Sequence, residues 1–153
     1  MSLTPELSAR IETLLAQHTV VLFMKGTRAE PRCGFSAGAA RTLAAVTPDF
    51  HDVDVIADPE LREAIKVYGQ WPTIPQLYVR GELVGGADIL NDMANSGALH
   101  ELLGLAKPDR TPPAIHISEA AAEALRTATR DAGDEVLHLA IDEHFRAQFF
   151  LKP

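Results

Sequence analysis

The sequence predicts an α/β fold: a four-stranded mixed sheet flanked by helices, followed by a small α+β appendage. Three observations carry this reading. Helix-period and strand-period apolar segments alternate along the first two thirds of the chain, as in sheets wrapped by helices. Two short strands then flank Arg80-Gly81, a hairpin by its turn chemistry, which adds an antiparallel pair to an otherwise parallel pattern. A proline-rich stretch at 107–113 separates this body from about forty further residues.

The elements follow in order. TPELSARIETLLAQH (4–18) reads as a helix: Thr4 can cap it, Pro5 suits the first turn, and Leu7, Ile11, Leu14 and Leu15 form one apolar stripe. TVVLFMK (19–25) is a short apolar run rich in β-branched residues, hence a buried strand. The loop GTRAEPR leads into Cys33, and SAGAARTLAAV (36–46) has the alanine content and the Leu43/Val46 spacing of a helix. FHDVDVI (50–56) reads as a second, parallel strand, and PELREAIKVYG (59–69) as a helix opened by Asp58-Pro59 and stopped by Gly69. QLYVRGELVGG (76–86) is the hairpin, and ADILNDMANSGALHELLGLA (87–106) supplies one or two closing helices. Two parallel strands plus an antiparallel hairpin, covered on both faces, is the thioredoxin-type arrangement.

Residues 1–106 are therefore expected to form one domain. KPDRTPP (107–113), with three prolines and three charges, reads as a linker. In 114–153, AIHI suggests a strand and SEAAAEALRTATRDAG a helix capped by Ser118 and ended by Gly133. Leu137, Leu139 and Ile141 share one strand face, and Phe145, Ala147, Phe149 and Leu151 alternate along another. A segment this short holds no strong core unaided.

Composition sets limits on function. Hydrophobic residues make up 46% and charged residues 23% of 153, the balance of a globular protein. A net charge of −7 argues against a general nucleic-acid or anionic-membrane binder. With one cysteine there is no internal disulfide, so the fold does not depend on an oxidising compartment. The opening MSLTPELSARIE has neither a basic n-region nor an apolar h-region, and no apolar run approaches membrane-spanning length. A soluble, cytoplasmic protein is expected.

Three segments bear chemistry. Cys33 lies between a buried strand and a helix start, where unpaired backbone N–H groups and the helix dipole favour the thiolate, with Lys25 and Arg32 nearby in sequence. The competing reading of a lone cysteine is an inert, buried, small apolar residue. WPTIPQ (71–76) carries Ile74-Pro75; a cis bond there turns the backbone N–H and C=O of Ile74 outward, ready for an extended peptide. The alternative is an edge-strand proline with a trans bond. In GGAD (85–88), two glycines and an Asp at a helix start allow close backbone approach and anion binding, or are ordinary turn chemistry with Asp88 as N-cap. His116, His138 and His144 lack a close carboxylate or thiol partner in sequence and read as solvated strand histidines.

FMKGT, PRCGFS and WPTIPQLYVRGELVGGAD, in that order, closely resemble the monothiol, CGFS-type glutaredoxins over roughly residues 3–105. The resemblance implies a glutaredoxin fold with glutathione held non-covalently in an extended groove. Lys25 and Arg62 would pair with the glycine carboxylate, and the Ile74 backbone would bind the cysteinyl portion. The backbone of Ala87 and Asp88, with the Asp88 side chain, would hold the γ-glutamyl end. It further implies a [2Fe–2S] cluster bridging a homodimer, ligated by Cys33 of each subunit and the thiolate of each bound glutathione. Such a cluster takes four thiolates, of which one-cysteine chains supply half. The family role is cluster transfer and iron homeostasis, with a BolA-like protein and apo iron–sulfur clients as partners, more a carrier than an enzyme. The alternative is a glutathione-dependent monothiol oxidoreductase acting on glutathionylated proteins. Ser36, where dithiol relatives have a resolving cysteine, excludes closing an internal disulfide. Ala87 departs from the cysteine many relatives carry there; the backbone contact survives that change. The tail, IHISEAAAEALR with GDEVLHLAID, loosely resembles the start of an A-type (HesB/IscA-like) iron–sulfur carrier without its cysteines, a partial appendage.

Overall fold

The structure, a computed structural model, describes residues 3–109, 116–130, 136–141 and 147–152. It divides into two compact units, Met1–Asp109 and Arg110–Pro153, with the division inside the proline-rich stretch.

The first unit is a four-stranded mixed sheet flanked by helices, in the thioredoxin-like arrangement. Its order is α1 (Pro5–Gln17), β1 (Val20–Met24), α2 (Gly34–Val46), β2 (His51–Asp54), α3 (Pro59–Tyr68), β3 (Gln76–Val79), β4 (Glu82–Gly85), α4 (Ala87–Ser96) and α5 (Ala98–Leu103). The sheet runs β2-β1-β3-β4. β1 pairs parallel with β2 and antiparallel with β3, and β3 pairs antiparallel with β4. The last pair turns through Arg80 (φ 50°) and Gly81 (φ 83°), the two positive φ values of a hairpin turn matched to strand twist.

Side chains alternate along the inner strands and so build two cores. Val20, Leu22 and Met24 with Leu77 and Val79 face Ala39, Ala40 and Leu43 of α2, Leu90 of α4 and Leu99 of α5. Val21, Phe23 and Tyr78 face Ile11 and Leu15 of α1 and Leu61, Ala64 and Ile65 of α3. Two of the expected helix caps form: the Thr4 hydroxyl accepts from Leu7 N–H at 3.3 Å, and the Asp58 carboxylate accepts from Leu61 N–H at 2.9 Å.

Some expectations are corrected. α2 begins at Gly34, directly after Cys33, because the thiol-bearing residue is itself the N-cap. The N-cap of α4 is Gly86, so Asp88 lies in the first turn and does not cap. Gly69 caps α3 with a right-handed φ of −81°; its lack of a side chain, not left-handed geometry, is what the site needs.

In the second unit α6 (Glu119–Ala128) is capped by Ser118, whose hydroxyl accepts from Ala121 N–H. It stops before Gly133, at Thr129, whose backbone N–H and hydroxyl both donate to Leu125 C=O at 2.9 Å. β5 (Val136–Ile141) and β6 (Ala147–Lys152) pair antiparallel, opposing Leu137 to Leu151 and Leu139 to Phe149. His116 and Ile117 are not in a strand; the rest of AIHI, Gly133, His144 and Phe145 lie outside the described residues.

Both core clusters of the first unit are drawn wholly from residues before Asp109. A chain ending at Asp109 is therefore expected to keep one cooperative thermal transition. Non-cooperative melting of that truncated chain would place essential core contacts in later residues.

Candidate functional site

The register decides where the site lies. Phe23 of β1 opposes Gln76 of β3, so the end of one strand lies beside the start of the other. Lys25, which leaves β1, and Pro75, which enters β3, are thereby brought to one edge of the sheet. α2 and α4 both begin there, and α3 flanks the same edge through Arg62 and Lys66.

The loop between Lys25 and Cys33 is closed on itself and pinned to β2. Arg32 N–H donates to Lys25 C=O at 2.9 Å, and Thr27 N–H to Glu30 C=O at 3.2 Å. Arg28 donates from its backbone N–H and its Nε to the two Asp52 oxygens at 2.9 and 2.7 Å. Its remaining nitrogens donate to Pro48 C=O and Phe50 C=O, and the guanidinium lies 3.9 Å above the Phe50 ring. Gly26 permits the tight entry with φ +80°; a Cβ there would stand 2.3 Å from Glu30 C=O.

Cys33 is partly buried, with its thiol free. The Ser36 N–H holds that thiol below its ordinary pKa, against the opposing effect of burial, with further help from Phe35 N–H, the Lys25 charge and the Ser36 side chain. Ser36 is fully buried, and its hydroxyl oxygen accepts from Lys25 N–H at 3.0 Å. The residue in the resolving position thus ties the end of β1 to the first turn of α2.

Five of the six residues singled out from sequence line one cavity of about 590 Å³: Lys25, Arg62, Ile74, Ala87 and Asp88. Cys33 is not in its lining; it adjoins through Phe35, which does line the cavity and whose side chain is 66% exposed. The Ile74-Pro75 bond is cis, and among the described residues no hydrogen bond occupies the Ile74 N–H or C=O. At α4 the first backbone donor to find a helical partner is Leu90 N–H, and no side chain caps the turn. The N–H groups of Ala87 and Asp88 are left for an anion.

The cavity lining holds three cations, Lys25, Arg62 and Lys66, and one carboxylate, Asp88. Lys66 is neutralised by both Glu63 oxygens at 2.7 and 2.8 Å. Lys25 and Arg62 have no ion-pair partner among the described residues. The Nε of Arg62 and the Nε1 of Trp71 are buried without a hydrogen bond. Trp71, Thr73, Phe35 and Lys66 also line the cavity and were not singled out as site residues from sequence; Trp71 and Thr73 lie in the WPTIPQ motif, Phe35 in PRCGFS, and Lys66 follows Arg62 by four residues on one helix face. No group of three metal-ligating side chains occurs among the described residues, and no helix there is long and apolar enough to cross a membrane.

The family model for glutaredoxin matches residues 20–84. A monothiol glutaredoxin of Synechocystis sp., described as ycf64-like, is 46% identical over 68% of this chain and 97% of its own length. The chain belongs to the monothiol glutaredoxin family. Monothiol glutaredoxin-S7, chloroplastic, of Oryza sativa subsp. japonica is 46% identical over 66% of this chain, which spans 60% of that relative. The solution structure of reduced poplar apo GrxS14 has 41% sequence identity and a TM-score of 0.60, over 68% of this chain and 95% of that one.

A depressed thiol pKa means that the reactive thiolate persists to lower pH than in a free cysteine. The rate of Cys33 alkylation by iodoacetamide should therefore rise with a midpoint below that of a free cysteine peptide. Ser36→Ala should undo only a small part of the depression, since the main donor is the backbone N–H. A midpoint at or above the peptide value would contradict this electrostatic account.

Proposed function

We propose that this glutaredoxin binds glutathione in the 590 Å³ cavity and, as a pair of subunits, carries a [2Fe–2S] cluster for iron–sulfur assembly and iron homeostasis. The observation that carries the reading is that one cavity is lined both by unneutralised cations, Lys25 and Arg62, and by the uncapped N-terminus of α4. Glutathione is an extended tripeptide with a carboxylate at each end. Lys25 and Arg62, with Lys66 beside them, suit the glycine carboxylate. The vacant N–H and C=O of Ile74 suit the peptide backbone of the cysteinyl residue, strand-fashion. The N–H groups of Ala87 and Asp88 suit the γ-glutamyl carboxylate, and the Asp88 carboxylate its ammonium.

With the cysteinyl portion on Ile74, the glutathione sulfur would lie on the side of the cavity where Phe35 leads to Cys33. A cluster needs thiolates, and the lowered pKa of Cys33 supplies that form. Two subunits give two protein thiolates, and two bound glutathiones complete the four. Exposed Phe35, next to the thiol, offers apolar surface that a second subunit would cover. Ligands borrowed from a diffusible thiol suit a carrier that must release its cargo. A BolA-like protein and apo iron–sulfur proteins are the partners this role calls for, in a reducing, cytoplasmic setting. We read 114–153 as a partial A-type-carrier-like appendage.

The same thiolate supports a second reading as a monothiol oxidoreductase. Cys33 would attack the glutathione sulfur of a mixed disulfide, and the protein thiolate would leave. A second glutathione thiolate would then attack the Cys33–glutathione disulfide, leaving glutathione disulfide and restoring the Cys33 thiolate. Ser36 is unable to resolve the intermediate, so turnover would depend on free glutathione.

Prepared anaerobically with iron, sulfide and glutathione, the protein should be brown and dimeric, and colourless and monomeric once glutathione is removed. Cys33→Ser should stay colourless; a stable cluster in that variant would refute the ligand assignment. Lys25→Ala and Arg62→Ala should each weaken glutathione binding by about 1–3 kcal/mol in a calorimetric titration. Unchanged affinity in both would put the glycine carboxylate elsewhere.

A further inference from the structure

Gln76 opens β3 and is fully buried, on the sheet face it shares with Tyr78. An amide survives in such a place only if its polar atoms are paired. Its Nε2 donates to Trp71 C=O at 2.8 Å and to Thr73 C=O at 3.2 Å. Both partners are carbonyl oxygens, which only accept, so the amide nitrogen must face them. That leaves Oε1 on the other side, where the Tyr78 hydroxyl donates to it at 3.1 Å.

The network is anchored at its far end by absent volume. A Cβ at Gly69 would stand 2.3 Å from the Tyr78 hydroxyl oxygen and 3.1 Å from Gln76 Oε1. The end of α3 therefore makes room for the hydroxyl that orients the amide. Burial raises the Tyr78 pKa, so the hydroxyl stays a donor throughout the physiological range. The segment held in this way lines the cavity at every residue from Trp71 to Pro75. Its backbone has one bond back to the helix, Trp71 N–H to Lys66 C=O at 3.0 Å, and Gln76 supplies both bonds that fix its carbonyls.

We propose that Gln76 is a positioning residue for glutathione: its amide clamps the Trp71–Thr73 segment and thereby sets the free backbone groups of Ile74. The inference deepens the glutathione reading and rests on it. It assigns Gln76 no contact with the ligand and no effect on the thiol.

The full-length chain gives a direct test, because Trp71 is its one tryptophan and reports on the clamped segment without any ligand. Gln76→Glu keeps the shape but sets acceptors against two carbonyls, and Gln76→Met keeps the volume without polar atoms. In both, Trp71 emission should move to longer wavelength with greater acrylamide quenching, and glutathione affinity should fall about tenfold. The pH profile of Cys33 alkylation should not move. Tyr78→Phe, which leaves the clamp but frees Oε1, should cost glutathione affinity only about threefold. Folded Gln76 variants with wild-type emission and affinity would overturn the proposal. So would loss of the whole fold in both, since the amide would then hold the sheet and not the segment. Wild-type protein that fails to bind glutathione would refute the glutathione reading and with it this assignment, whereas unaltered affinity in the variants alone refutes only the clamp.

Discussion

Everything at the site depends on strand β1 being buried along its whole length with a partner on each edge. A strand enclosed in this way must pair its backbone groups inside the sheet, and only its ends are free to do anything else. Its exit at Lys25 is where that freedom begins. The Lys25 N–H finds a side chain, the buried hydroxyl of Ser36, and so ties the thiol-bearing turn to the end of this fully buried strand. Antiparallel pairing with β3 brings the Ile74-Pro75 segment to the same edge. Two loops that are distant in sequence are brought to one place because they adjoin the paired ends of β1 and β3.

The absence of a second cysteine takes on a physical meaning in this setting. A residue in the position of Ser36 is enclosed, hydrogen-bonded to the β1 exit, and placed to support the thiolate through its backbone N–H. It stabilises the charge on Cys33 and offers no redox chemistry of its own. The thiol is left exposed enough to meet an outside partner, with apolar Phe35 beside it. A partner thiol must then come from the ligand in the cavity or from a second subunit, which is why binding and ligation are tied together in the proposed role.

Much of this was legible in the sequence, for reasons that are local. β-branched runs, Pro5 and Pro59 in first turns, the Arg80-Gly81 turn and the apolar stripe of α1 are decided within a few residues of themselves. The cluster of Lys25, Arg62, Ile74, Ala87 and Asp88 was legible only through resemblance to a family, because no spacing rule places four separated segments at one cavity. What stayed hidden depends on tertiary contacts. Gln76 reads as an ordinary polar residue beginning a strand; its clamp exists because a helix end leaves space at Gly69 and a tyrosine two residues on points the same way. The end of α6 at Thr129, four residues before the glycine that marked its stop, was not legible either, because no proline, glycine or capping signal marks that position.

We propose the cavity between α3, the Ile74 segment and the start of α4 as the glutathione site. An amide NMR titration of the full-length chain with reduced glutathione tests it most directly. A second cavity, lined by Arg10 and Thr13 of α1, Asp52 of β2 and Asp58, serves as the control: saturable shifts concentrated on Lys25, Arg62, Ile74, Ala87 and Asp88, with Arg10 and Asp58 unmoved, are the expected result. Saturation without movement of Ile74 and Asp88, or shifts centred on the second cavity, would contradict it.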